Sequence, residues 1–105
     1  MDIATKAVEI LEAARSLASR SSTAERSRTL AMIVVNALSF ISNLTCDAVL
    51  RCRLCTLECI AALTPYLQDV FKDTEPDQIY DYVKSYAASV LANIAIEGKI
   101  SWSFS

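Results

Sequence analysis

Apolar residues recur at helical spacing in the N-terminal part of the chain. Ile3, Ala7, Ile10, Ala14 and Leu17 follow one another at alternating intervals of four and three residues. This spacing places them on one face of an α-helix, because a helix completes a turn in about 3.6 residues. The pattern predicts a first helix over residues 2–17 that packs on one side only.

A second and wider apolar stripe follows a short polar connector. Ser22 followed by Glu25 fits a capping box, in which the two side chains satisfy free amides at a helix start. We expect a second helix from there to about Leu44, buried on most sides. Its apolar residues include Leu30, Ile33, Val34, Ala37, Leu38, Phe40 and Ile41.

The same stretch has to be tested as a membrane span. Residues 30–44 are strongly apolar, but they are fewer than the roughly 20 residues that a span needs. Asn36, Ser39 and Asn43 interrupt the apolar run, and Arg28 and Asp47 bracket it closely. A buried core helix is therefore the better interpretation, and no membrane contact is expected.

A third helix is predicted to start near Asp47 and to carry two apolar faces. Leu50, Leu54, Leu57 and Ala61 form one stripe, and Cys52, Cys55 and Cys59 form another. A helix with two apolar faces is packed on both sides.

Two prolines and one glycine divide the rest of the chain. Thr64-Pro65 is a break or a restart, and Pro76 opens a last helix after an acidic loop. Gly98 is predicted to end that helix, because glycine readily adopts the left-handed conformation of a helix terminus. The chain is thus divided into a helical domain, residues 1–98, and a tail, residues 99–105. The tail either packs back on the core or marks a place where a longer chain continued.

Composition supports an all-α fold. The chain has one glycine and two prolines among 105 residues, and 53% of it is apolar. Sheets need turns, and turns usually need glycine, proline or asparagine. So few breakers leave little room for strands.

Charge and the absence of histidine narrow the function classes. The net charge of −2 argues against nucleic-acid binding through bulk positive charge. The chain has no histidine, which removes the commonest general base near neutral pH and the commonest metal ligand. No enzyme activity and no cofactor are expected.

The four cysteines indicate a reducing compartment and raise the question of a metal site. The N-terminus lacks the basic and apolar segments of a secretory signal, so a cytoplasmic or nuclear location is expected. Cys46, Cys52, Cys55 and Cys59 could in principle bind zinc or an iron–sulfur cluster. Three of them share one predicted helical face, whereas a metal site surrounds its ion, so core packing is the favoured interpretation.

The chain contains an internal repeat at an offset of fifty residues. Ala37, Ser39 and Asn43 recur as Ala87, Ser89 and Asn93, and the other five pairs in residues 37–44 and 87–94 are apolar or small. Each copy ends a long predicted helix that follows a shorter one. Stacked helical-hairpin repeats have periods of roughly 40–47 residues, so the offset of fifty is longer than usual, and the acidic loop before Pro76 would supply the excess.

This arrangement resembles the armadillo repeat, in which the third helix often ends in an Ala-x-x-x-Leu-x-Asn-Leu-like stretch. The resemblance implies an all-α, armadillo/HEAT-like stack of hairpins with about five helices. Residues 3–17 and 24–44 would be the last two helices of one repeat, and residues 47–59, 60–72 and 77–97 the three helices of the next. Import receptors of this family carry a tryptophan where Ser39 and Ser89 stand. Recognition of basic localisation peptides is therefore not expected.

The resemblance also implies a binding surface, because third helices line the concave side of an armadillo stack. The offset pairs eight residues of the two third helices: Met32 with Tyr82, Asn36 with Tyr86, Ser39 with Ser89, and Asn43 with Asn93. Asparagine amides donate and accept hydrogen bonds, and tyrosines add contact area, so this surface suits a peptide or protein partner. The alternative for Asn43 and Asn93 is that each fixes a helix end.

Two functions remain open at this point. The first is a non-catalytic scaffold that binds a protein or peptide partner. The second is a structural helical bundle that self-associates as a homo-oligomer, because an isolated pair of repeats leaves its end faces uncovered.

Overall fold

The computed structural model of the chain describes residues 3–20, 23–68, 70–71 and 77–102, with side chains described up to residue 95 apart from Ala4. Its elements are α1 (Ile3–Arg20), α2 (Ala24–Leu44), α3 (Ala48–Leu54), α4 (Leu57–Leu63), a 3-10 turn (Thr64–Leu67) and α5 (Gln78–Trp102). Within these ranges the protein is all helical, so the prediction of an all-α fold with about five helices is confirmed.

The start of α2 is fixed by a threonine. Thr23 has an extended backbone (φ −118°, ψ 143°), and its Oγ1 accepts a hydrogen bond from the Arg26 amide at 3.2 Å. This bond satisfies one of the amides that the first turn leaves without a partner. The capping box predicted at Ser22 is therefore replaced by a cap one residue later, and Ser22 itself lies outside the described residues.

Asp47 starts α3 as predicted. Its carboxylate Oδ1 accepts hydrogen bonds from the amides of Val49 at 2.9 Å and Leu50 at 3.1 Å. The carboxylate also lies at the positive end of the helix dipole.

The predicted third helix is wrong in its length, because it is broken at Cys55 and Thr56. The Thr56 backbone is extended (φ −126°, ψ 155°), and its Oγ1 accepts from the Cys59 amide at 3.1 Å. A residue in this conformation ends one helix and caps the next. Cys52, Cys55 and Cys59 therefore do not lie on one continuous helical face.

The segment predicted as a helix over residues 60–72 is also different. It consists of α4 followed by the 3-10 turn, and Pro65 lies in the first positions of that turn. Tyr66 in the turn is fully buried, and its hydroxyl donates a hydrogen bond to the Leu11 carbonyl of α1. This bond joins the two halves of the chain across the core.

The last helix begins beside Asp77 and runs further than predicted. Asp77 Oδ1 accepts from the Ile79 amide at 3.0 Å, which caps the first turn of α5. The helix then continues through Gly98 to Trp102, so Gly98 does not end it. Phe104 lies outside the described residues, and so do the side chains of Ile100 and Trp102.

One core joins all the helices, and α2 is at its centre. The most extensive contacts of α2 are with α5 and then with α1. The fully buried residues of α2 and α5 belong to this core: Ala31, Val34, Leu38, Ile41, Ala87, Val90 and Ile94.

Helices α2 and α5 run parallel to each other. Near their starts, Arg28 Nε lies 3.0 Å from Asp77 Oδ2, and near their ends Asn93 Nδ2 donates to Thr45 Oγ1 at 3.0 Å. The partners in these two contacts are 49 and 48 residues apart in the sequence. The start of α2 thus lies beside the start of α5, and the contacting residues are separated by nearly the fifty residues of the sequence repeat.

Helix α2 is also the element that could be mistaken for a membrane span. It has 21 residues, and an 18-residue window within it has a mean hydropathy of 1.2. Only 33% of that window is buried inside the protein. Length and composition would permit it to cross a bilayer, but the core helix of a soluble protein passes the same test. This is weak evidence about location.

Candidate binding face

The α2–α5 face is defined here by the eight residues that the repeat pairs: Met32, Asn36, Ser39, Asn43, Tyr82, Tyr86, Ser89 and Asn93. Parallel packing of α2 and α5 puts the two series on neighbouring helices with their order preserved. The spacing of each series, by four, three and four residues, keeps its members on one side of their own helix.

Exposure differs along this face. Met32 and Tyr82 are 45% and 46% exposed, while Tyr86 is half-buried and packs against the core. Asn36, Asn43 and Ser89 are exposed, and Ser39 and Asn93 are half-buried. The row on α2 is therefore the more accessible of the two.

Arg28 and Asp77 close one end of the face, and both were missed as members of it. Arg28 Nη1 approaches the Met32 sulfur at 3.5 Å while its Nε pairs with Asp77. The hydrogen bond from the Ile79 amide, and then that from Arg28, lower the pKa of the Asp77 carboxyl. The sequence offered a signal, since Arg28 and Asp77 are separated by nearly the repeat offset.

Asn93 closes the other end and is bound within the protein. Its amide donates to the Thr45 hydroxyl, which is buried (1% exposed) and itself donates to the Ser42 carbonyl at 2.6 Å. Arg51 Nη1 donates to the Thr45 carbonyl at 3.0 Å, at the negative end of the α2 dipole. Asn93 therefore fixes a helix end, which is the alternative role that the sequence left open.

Asn43 differs from Asn93 although the repeat pairs them. Its side chain is exposed, and only its backbone carbonyl takes part in the turn, accepting from the Cys46 amide at 3.2 Å. The two asparagines thus have different surroundings in the two copies.

The cysteines do not converge on a metal site in the part of the chain that the structure describes. No group of three or more potential ligands there could hold an ion, and all four thiols are free. Burial, and next the neighbouring Cys55, raises the pKa of Cys59 to about 11. Since metals bind the thiolate, this shift opposes coordination by Cys59.

Core packing explains only part of the cysteine set. Cys59 is buried and Cys55 packs against the core, as predicted. Cys46 and Cys52 are exposed, so the core prediction is wrong for these two. The turn at Thr45 and the helix break at Cys55 place both of them at the surface.

A second feature, which the sequence reasoning missed, is an apolar groove between α1 and α2. We call it the α1–α2 groove and define it by five exposed apolar residues: Ile3 (63%), Ile10 (40%), Leu17 (51%), Ile33 (44%) and Phe40 (41%). Ile3, Ile10 and Leu17 recur every seven residues, one step round the helix from buried Ala7 and Ala14. That spacing was the available signal, because it makes the α1 stripe too wide for one packing partner.

Comparisons with known proteins were made at three levels. No protein-family model, no curated protein and no solved structure matches the chain.

Proposed function

We propose that the chain is a non-catalytic protein–protein interaction module that binds a peptide or protein partner on the α2–α5 face. The observation that carries the proposal is the parallel packing of the two repeat copies, α2 and α5, at offsets of 49 and 48 residues. Equivalent side chains are thereby repeated across the face. Such repetition suits an extended or helical partner that is read at regular intervals.

The chemistry of the face supports the same proposal. Met32 and Tyr82 each leave nearly half of their surface exposed, and both residue types are enriched at protein interfaces. Exposed Asn36 and Ser89 add donors and acceptors beside them. A face of this kind combines apolar anchors with polar groups that fix orientation.

Armadillo-like stacking of hairpins is part of this proposal. In such a stack, equivalent helices of successive repeats lie side by side and point the same way. The parallel pair of α2 and α5 supports this arrangement, and so does the bond from Tyr66 to Leu11, which joins the shorter helical segments of the two units. The structural homo-oligomer stays an open prediction.

Site-specific photo-crosslinking tests the proposal in the full chain. A benzophenone amino acid at Tyr82 is expected to capture a defined partner, and capture should fall at least fivefold when Met32→Arg is added to the same protein. The matched control places the probe at Leu57, which is 85% exposed on α4. Equal capture of the same protein from both positions would overturn the proposal.

A further inference from the structure

The repeat pairs buried residues of α5 with exposed residues of α2. Val83 and Val90 are 2% and 0% exposed, and the residues fifty positions earlier are Ile33 and Phe40, which are 44% and 41% exposed. The same offset pairs Asn93, bound to Thr45, with exposed Asn43. The face that α5 uses for packing is therefore also present on α2, where it lies open.

The open face continues on α1 and has the shape of a helix-binding groove. A cavity of about 410 Å³ lies between Ile3 and Ile10 of α1 and Ile33 and Phe40 of α2. A second cavity of about 460 Å³ lies nearer the connector and is lined by Leu17 and Leu30. The two cavities together follow the seam between α1 and α2.

The packing of α5 is a guide to what such a face binds, because α5 makes its most extensive contacts with α2. The buried stripe of α5 shares its core with four residues of α2, Ala31, Val34, Leu38 and Ile41. The partner helix of α5 thus presents apolar residues at positions i, i+3, i+7 and i+10 and is followed by a hydroxyl, that of Thr45. Because α2 carries the equivalent of the α5 stripe, the ligand of the α1–α2 groove should resemble α2 itself.

Helix α5 does not carry the stripe of residues that such a ligand needs. The positions of α5 that correspond to Ala31, Val34, Leu38 and Ile41 are Asp81, Lys84, Ala88 and Leu91, so only the last keeps a large apolar residue. Asp81 and Ala88 are exposed, and charged or small residues at these positions give this end a capping character. The α5 of a second copy thus offers one large apolar residue at these four positions, which disfavours it as the occupant of the groove.

We propose that the α1–α2 groove binds one amphipathic helix of a partner unit, parallel to α2. The helix carries small and apolar residues at i, i+3, i+7 and i+10, and a threonine or serine hydroxyl after its last turn accepts a hydrogen bond from Asn43. The groove exposes roughly 100 Å² on each of its five apolar residues, and an apolar patch on the order of 500 Å² is large enough to mark an interaction site. This surface is distinct from the α2–α5 face, although Asn43 borders both.

A peptide copy of α2 serves as the probe. We would synthesise residues 24–46 with Met32→Lys, Ile33→Glu and Phe40→Lys, so that the peptide keeps the docking stripe but has no groove face of its own. Titration of the full chain against the labelled peptide, followed by fluorescence anisotropy, is expected to give saturable binding in the micromolar range. A peptide that also carries Leu38→Asp should bind at least tenfold more weakly.

Variants of the chain locate the site. Ile33→Asp and Phe40→Asp lie at exposed positions, so the protein should stay folded by circular dichroism and bind the peptide at least tenfold more weakly. Leu57→Asp, at an exposed apolar position on α4, is the matched control and should bind normally. Tyr82→Ala should also bind normally, which separates this proposal from the α2–α5 face.

A double-mutant cycle tests the direction of the bound helix. Asn43→Ala in the chain should weaken binding of the peptide that carries Thr45 about fivefold. It should not change the affinity for a Thr45→Val peptide, because that peptide has no hydroxyl to accept the hydrogen bond. No saturable binding to the folded chain, or binding that survives both Ile33→Asp and Phe40→Asp, would overturn the proposal. Sedimentation that shows a homodimer abolished by Phe40→Asp would overturn it too, because the occupant would then be a second copy of the groove.

Discussion

Helices α2 and α5 carry the same repeated stretch, yet one is covered where the other is open. In α5, Val90 lies in the core and Asn93 is hydrogen-bonded to Thr45. In α2, the equivalent residues Phe40 and Asn43 are exposed. The residues are similar, so the difference arises from position: α5 packs against a preceding unit, and no described part of the chain precedes α2 in the same way. The two copies therefore share a stretch of sequence but differ in what covers it.

The contrast also concerns the two ends of the molecule. The end formed by α1 and α2 exposes Ile10 and Ile33, whereas the outer side of α5 exposes Asp81 and Ser85. Polar terminal faces keep helical-repeat proteins soluble. At these positions the exposed surface is therefore apolar on the α1–α2 side and polar on α5.

The largest expected difference in stability is between two aspartate substitutions at equivalent positions of α5 and α2. Val83→Asp buries a carboxylate in the core and should lower the free energy of unfolding by more than about 4 kcal/mol. Ile33→Asp, fifty residues earlier, should change it by less than about 1 kcal/mol because the site is open to water. Urea denaturation checks both, and equal losses would remove the distinction between covered and open copies.

The next effect concerns buried and exposed thiols beside the two copies. Cys59 has an ordinary thiol pKa of 9.0, which burial raises to about 11, whereas Cys46 at the end of α2 is exposed. Below pH 9 the Cys59 thiol is protonated in both the folded and the unfolded state. Between pH 9 and 11 mainly the unfolded state ionises, so stability should fall as pH rises, by about 3 kcal/mol in total.

Chemical denaturation at a series of alkaline pH values measures that fall. Cys59→Ala should flatten the dependence on pH, and Cys46→Ser is the matched control for loss of a thiol. Tyr66, whose pKa burial raises to about 12, should leave a remaining slope above pH 10 in both variants. A Cys59→Ala slope equal to that of the unsubstituted protein would contradict the assignment.

A smaller difference is expected between the two asparagines. Asn93→Ala leaves the buried Thr45 hydroxyl without its donor and should cost about 1–3 kcal/mol of stability. Asn43→Ala, at the exposed equivalent, should change stability by less than about 0.5 kcal/mol. Thermal and urea unfolding of the two variants give the comparison, and a larger loss at Asn43 would show that the two copies have been assigned the wrong environments.

The smallest effect distinguishes the caps of the two helices. Thr23 caps α2 with a neutral hydroxyl, whereas Asp77 caps α5 with a carboxylate whose pKa is lowered by the Ile79 amide and by Arg28. The Asp77 contribution is present above the ordinary pKa of 3.8 and is lost as pH falls through the lower folded value. Asp77→Asn, which still caps, should show a slightly weaker loss of stability between pH 4 and pH 2 than the unsubstituted protein. Identical curves would show that Asp77 is protonated alike in both states.

Local rules in the sequence predicted much of the fold. The start of α3 at Asp47 and the end of α2 near Leu44 follow from capping chemistry and apolar periodicity. The break at Cys55 and Thr56 was missed because Cys52, Cys55 and Cys59 continue the helical spacing across it. Gly98 suggested a helix end, but a glycine within a helix costs only about 1 kcal/mol, which does not force one.

The candidate site was predicted less completely, because it depends on how helices meet. The offset of fifty predicted which residues of α2 and α5 are paired, but not that Asn93 is bound to Thr45. That bond depends on the turn after α2 bringing Thr45 next to α5. The α1–α2 groove likewise depends on how α1 packs against α2, and the seven-residue spacing of Ile3, Ile10 and Leu17 was its signal in the sequence.

The central claim, that α2 and α5 are equivalent helices packed in parallel, is tested most directly by distances in solution. Pulsed electron paramagnetic resonance would measure distances between pairs of spin labels in a cysteine-free variant that retains the fold. The matched pairs are Met32 with Tyr82 and Ser39 with Ser89. The crossed pairs are Met32 with Ser89 and Ser39 with Tyr82. Seven residues along a helix span about 10 Å, a separation comparable to the distance between packed helix axes. We predict that both matched distances are shorter than both crossed distances. Crossed distances shorter than matched ones would mean antiparallel helices and would contradict the account.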